Sequence, residues 1–199
     1  MILPIVAYGD PILKKEAVEI DQDYPELNKL IEDMFETMYE ASGVGLAAPQ
    51  INRSIRLFVV DGSPFAETDD EDEEEDPKAI GMEGFKRVFI NPIIEEETGE
   101  AWGFHEGCLS IPKIREEVYR KEKIRMTYYD ENWQFHDEWF DGYKARIIQH
   151  EYDHIEGVLF TDHLSVLKRR LLTKRLQNIS QGLISVAYKM KFPSFKKGK

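Results

Sequence analysis

The chain has 199 residues, 42% of them hydrophobic, which suits one domain with a real core. No uncharged apolar run approaches the roughly 18–20 residues that a membrane-spanning helix needs, and the first residues lack the basic stretch and apolar core of a secretory signal. A single cysteine, Cys108, excludes an internal disulfide and fits a reducing cytosol, and the net charge is −12.

That charge is unevenly spread. Residues 167–199 hold ten Lys or Arg and no Asp or Glu, so the rest of the chain is more acidic than the total implies. The basic end is either a solvated helix and tail or a contact for an anionic partner.

Taken in chain order, Asp10-Pro11 opens a short helical or turn segment over 12–17, with Pro11 at the first position after an Asp cap. Leu27, Leu30, Ile31, Met34, Phe35 and Met38 recur at three- and four-residue spacing and predict a helix over 25–41, its methionines filling core. Gly43-Val44-Gly45-Leu46-Ala47-Ala48-Pro49-Gln50 reads as a helix-to-strand connection, its glycines marking a strained turn or a close backbone approach. Residues 55–60 form a strand. Residues 67–76 then hold nine acids in ten, which repel one another and predict an exposed, disordered loop.

From 87 to 140 the pattern is that of strands: 88–92, 101–109, 118–120, 123–129 and 133–140, with Asp130-Glu131-Asn132 as a hairpin turn between the last two. Asp141 caps a following helix and Gly157 ends it. A final helix falls within 164–188. No internal repeat is visible.

The chemistry lies in the helix after Asp141. His150-Glu151-Tyr152-Asp153-His154 places two imidazoles at i and i+4, on one face and within reach of one metal ion. Glu151 is offset by about 100°, beside that ion and able to handle the proton of a bound water. Such pairs also arise by chance. Here Tyr143, Ile147, Glu151 and His154 share an inward face, where unpartnered polar groups would be costly and a metal removes the cost. Cys108, at a strand end between Gly107 and Leu109, is the natural third ligand. Two imidazoles and a thiolate leave a fourth position for water, the arrangement of a catalytic site.

Three segments together resemble the signature motifs of the peptide deformylase family, bacterial type. Gly43 to Gln50 is similar to its first motif, Glu106-Gly107-Cys108-Leu109-Ser110 to its second and His150 to His154 to its third, in the family's order and at comparable separations. The resemblance covers the chain from about residue 5 to the last helix and omits the acidic run. It implies an α+β fold of mostly antiparallel sheets packed around a central helix carrying the His-Glu-x-x-His motif, with a C-terminal helix, in a single domain 1–199 whose residues 189–199 are a basic tail. It implies hydrolysis of the formamide of N-terminal formyl-methionine on nascent peptides, releasing formate.

In that reading the metal sits on Cys108, His150 and His154, and is Fe2+ in the cell, with Zn2+, Ni2+ or Co2+ able to replace it. Sulfur and nitrogen ligation taken alone points instead to Zn2+. Glu151 moves the proton, while the Gln50 side chain and the Leu109 backbone N–H face the oxyanion. Gly45 lets substrate backbone approach in strand-like fashion, and Val44, Phe104, Tyr143 and Ile147 form the methionine pocket. Arg146 departs from the apolar residue often found beside that pocket. Glu106 pairs with Arg120 in support of the ligands, and Arg115 holds substrate backbone. Because family members work at the ribosome exit, the basic segment with Lys168, Arg169, Arg170, Lys174 and Arg175 would contact rRNA phosphates. Two rival readings of the same residues are a peptidase using the same helix motif and a non-catalytic metal- or ribosome-binding protein.

Overall fold

The structure, a computed structural model, describes residues 1–65 and 76–193. The acidic run expected at 67–76 therefore lies outside the described residues except for Asp76, as does the tail from 194. In chain order the strands and α-helices are β1 (Ile5–Val6), α1 (Leu27–Glu40), β2 (Gly45–Ala47), β3 (Leu57–Asp61), β4 (Lys86–Cys108), β5 (Ile111–Tyr129), β6 (Phe135–Asp141), α2 (Gly142–Ile155), α3 (Val166–Ser180) and β7 (Met190–Lys191). The five strands β2 to β6 form an antiparallel sheet in chain order, and β1 pairs in parallel with β7. The mixed fold of antiparallel sheet, central helix and C-terminal helix is the one expected.

Strand β3 explains the layering. Leu57 and Val59 pack with α1, against Ile31, Met34 and Met38, while Phe58 and Val60 pack with Ala145, Ile147 and Ile148 of α2. A strand covered on both faces must be apolar at every position, which is why 57–60 reads as an unbroken run. A third cluster seats Leu172, Leu176 and Ile179 of α3 on Ile111, Ile114 and Val118 of β5.

Several element boundaries differ from the sequence expectation. Helix α1 begins at Leu27, because Glu26 adopts a left-handed φ of 54° and separates Pro25 from the helix. The strand fragments expected between 88 and 129 are two long strands. Register shifts between Ile90 and Ile93, Ile94 and Glu96, and Thr98 and Ala101 reset the two-residue alternation, so one bulged strand looks like pieces in sequence. The turn between β5 and β6 spans 130–134, with Asp130 Oδ1 accepting from the Asn132 and Gln134 amides. Asp141 stands at the head of α2, but its side chain makes no capping hydrogen bond. Gly157 ends α2 in left-handed conformation at φ 71°, where a Cβ would also meet the Lys14 backbone. Helix α3 stops at Ser180, and the chain beyond it returns along β1 as β7. No helix among the described residues is long and apolar enough to cross a membrane.

Candidate active site

Strands β4 and β5 meet in a tight turn at Leu109-Ser110, with Cys108 paired to Ile111 across it. This places Cys108 over the face of α2 that carries His150 and His154, one helical turn apart. The Cys108 Sγ, His150 and His154 donor atoms all lie within 4.8 Å of one another, and Sγ stands 3.3 Å from His154 Nε2. Burial alone would raise the Cys108 thiol, but the two imidazoles pull it down to about 5. Burial also opposes charge on His150, yet the thiolate and Glu106 outweigh it and hold that imidazole well above its ordinary value. The pocket is thus built to favour positive charge beside a thiolate, and two nitrogens and a sulfur are suitable donors for a divalent transition metal.

Glu106 organises His150. Its two oxygens accept from Arg120 Nε at 2.7 Å and Nη2 at 3.0 Å, from Arg146 Nη1 at 3.0 Å, and lie 2.9 Å from His150 Nδ1. Burial would raise this carboxyl, but His150 and Arg120 hold it far below the usual carboxylate range. A carboxylate on Nδ1 fixes the imidazole ring and leaves Nε2 available to a metal. Arg120 reaches on to Asp153 Oδ2 at 2.7 Å, which is also 2.7 Å from His163 Nε2.

Glu151 is buried, and neither its Oε2 nor His154 Nδ1 has a hydrogen-bond partner among the described residues. Burial pushes the Glu151 carboxyl up to about 7. A Cβ on Gly45 would stand 2.3 Å from Glu151 Oε1, so the glycine in β2 is what admits this carboxylate. Gln50, buried beside it, accepts from the Ala47 amide at 2.9 Å. That bond turns its Nε2 toward Cys108 Sγ at 3.5 Å and Ser110 Oγ at 3.2 Å.

Gln50, Glu106, Cys108, His150 and Glu151 line a cavity of about 660 Å3. Val44, Phe104 and Ile147 form its apolar side, and Arg115, which donates to the His105 carbonyl, lies on its rim. The expected Tyr143 wall is displaced. Its ring lies tilted behind Phe104 at 5.5 Å and Phe65 at 5.1 Å, its hydroxyl donates to Asp76 at 2.6 Å, and Phe65 lines the cavity. Arg146, which departs from an apolar residue, also lines the cavity. It is buried, donates to the Trp102 and Val118 carbonyls, and packs its guanidinium 4.3 Å over Trp102. Sequence reasoning missed it as a partner of Glu106, although its position one turn before His150 puts it on the same helical face. Asp153 lay within the motif, yet nothing local indicated its partners.

A buried acid, converging thiolate and imidazoles and an apolar cleft define the class of metal-dependent hydrolases. The chain matches the model of the polypeptide deformylase family over residues 2–170. It is 58% identical over 199 residues to a peptide deformylase of Christiangramia forsetii and 54% identical over 201 residues to one of Flavobacterium johnsoniae, each match covering 100% of both chains. A crystal structure of a peptide deformylase from Legionella pneumophila superposes with a TM-score of 0.74 at 36% identity, over 92% of this chain and 98% of that one. The chain belongs to the peptide deformylase family, and is a hydrolase that removes the N-formyl group from formyl-Met peptides.

Proposed function

We propose that the whole chain, 1–199, acts as one cytoplasmic catalytic unit on nascent formyl-Met peptides, with Cys108, His150 and His154 as metal ligands and Fe2+ as the native ion. The observation that carries this reading is the convergence of three donors beside a buried carboxylate oxygen that has no hydrogen-bond partner among the described residues, at an apolar cavity. The donor set alone suits Zn2+ equally, and the family resemblance favours Fe2+, with Zn2+, Ni2+ or Co2+ as substitutes.

When bound, the ion supplies Lewis acidity that makes a water nucleophilic near neutral pH. Glu151 accepts the proton of that water and delivers it to the departing amine; its upward-shifted carboxyl is suited to both acts. The Gln50 amide, aimed by Ala47, and the Leu109 N–H donate to the oxyanion that develops on the formyl oxygen. Val44, Phe104 and Ile147, backed by Tyr143, receive the methionine side chain. Gly45 and Arg115 hold substrate backbone along the cleft.

Anaerobic purification followed by metal analysis tests the ion. Formate release from a formyl-Met peptide, set against hydrolysis of the unformylated peptide, tests the reaction; peptide-bond cleavage without formate would overturn it. On α3, Arg169, Arg170 and Lys174 are exposed, whereas Lys168 pairs with Glu116 and Arg175 donates to the Lys113 carbonyl. That face supports contact with rRNA phosphates. Salt-sensitive cosedimentation with ribosomes, lost on charge reversal, is its signature.

A further inference from the structure

The chain beyond α3 alternates exposed and half-buried residues from 183 to 191 and runs back to the hairpin that carries Cys108. It is anchored by β1, where the Ile5 amide donates to the Lys189 carbonyl and the Ala7 amide to the Lys191 carbonyl, both at 2.8 Å. Between those anchors and α3, Val186, Ala187 and Tyr188 form part of the cavity wall. The Tyr188 hydroxyl donates to the Leu109 carbonyl at 2.7 Å, and the Tyr8 amide donates to the Ser110 carbonyl at 2.9 Å. Both carbonyls of the two-residue turn are therefore tied down by segments that lie 79 or more residues away in sequence. Tyr188 lies past the residues matched by the family model, which end at 170.

We propose that Tyr188 is a positioning residue for deformylation. Its hydroxyl pins the Leu109-Ser110 peptide and so steadies the turn that presents both the Cys108 thiolate and the Leu109 N–H. The inference rests on the hydrolytic reading above. A turn this short has few backbone freedoms, so restraint at one carbonyl is transmitted to the adjoining peptide group. Oxyanion donors act through preorganisation, which a loosened turn would lose without altering the apolar pocket.

Tyr188→Phe removes the hydroxyl and keeps the ring. The expected result is a fall in kcat of about 3- to 10-fold, the loss of one neutral hydrogen bond, with KM for a formyl-Met peptide and bound metal per chain unchanged and the melting temperature lowered by no more than about 5 °C. An unchanged kcat would overturn the proposal. So would a fall in kcat accompanied by matching losses of metal and melting temperature, which describes a merely structural tyrosine. Wild-type protein that releases no formate would retire the hydrolytic reading and this inference together. Normal wild-type activity with an indifferent Tyr188→Phe retires the inference alone.

Discussion

Of the three arginines on strand β5, Arg120 and Arg125 are each paired with a carboxylate on a neighbouring strand. Arg120 meets Glu106 of β4 with both side chains about 5% exposed, 5% and 4%, beneath α2. Arg125 meets Asp137 of β6 with 41% and 38% exposure, in open solvent. The pairing chemistry is the same, and both are bidentate. What differs is the cover. Water screens the outer pair, and its atoms orient nothing further. The inner pair is desolvated, so its net contribution to stability is small or negative, and its value lies in geometry. Glu106, gripped by Arg120 and Arg146, orients His150, and Arg120 passes the same restraint to Asp153. One helix laid over one end of a hairpin converts an ordinary ion pair into the frame of the candidate metal site.

The sharpest way to test this contrast is to separate the group that reacts from the groups that hold. Glu151→Gln should lower kcat by about 10²–10⁴-fold in a formate-release assay while metal content stays at the wild-type level. Parallel loss of the metal would place Glu151 in the frame instead. Next in size is Glu106→Ala, which leaves the buried Arg146 facing only carbonyls and the buried Arg120 with Asp153 as its one carboxylate. It should destabilise the protein by about 3–5 kcal/mol in urea denaturation and speed loss of metal to a chelator.

Asp61 is the intermediate case, half-buried and held by the Ser63 amide and hydroxyl and by Tyr39 Oη at 2.6 Å. Burial would raise its carboxyl, but the bonds from Ser63 and Tyr39 win and lower it. A carboxyl lowered on folding contributes its full stability above its unfolded value, about 3.9, and loses it as pH falls through the lowered value. Asp61→Asn should therefore flatten the loss of stability below about pH 4 in acid titrations and leave the slope above pH 5 unchanged. The smallest effect belongs to the outer pair: Arg125→Ala should leave the urea midpoint at its wild-type value, and a large shift would show that exposure does not separate the two pairs.

Much of the site was legible because its chemistry is written in short local patterns. The i, i+4 imidazoles with Glu151 between them, the glycine-flanked Cys108 and the segment ending in Gln50 are contiguous motifs, and the structure brings all three to one cavity. The apolar stripe of α1 and the unbroken run in β3 were legible for a similar reason, since burial on one face or on two leaves a direct trace in residue order. Strands β4 and β5 were not legible as wholes, because each bulge reverses which face a side chain takes.

The sequence by itself therefore determined which reactive groups the protein possesses and which elements carry them. Only the tertiary structure decided who holds them in place: Arg146 on Glu106, Asp153 between Arg120 and His163, Phe65 in the wall before Tyr143, Gly45 making room for Glu151, and Tyr188 returning across 79 residues to Leu109. Periodicity reports on neighbours within a few residues along the chain. These partnerships depend on strand register, on the seating of α2 over the hairpin and on the path of the chain after α3, none of which leaves a local signal.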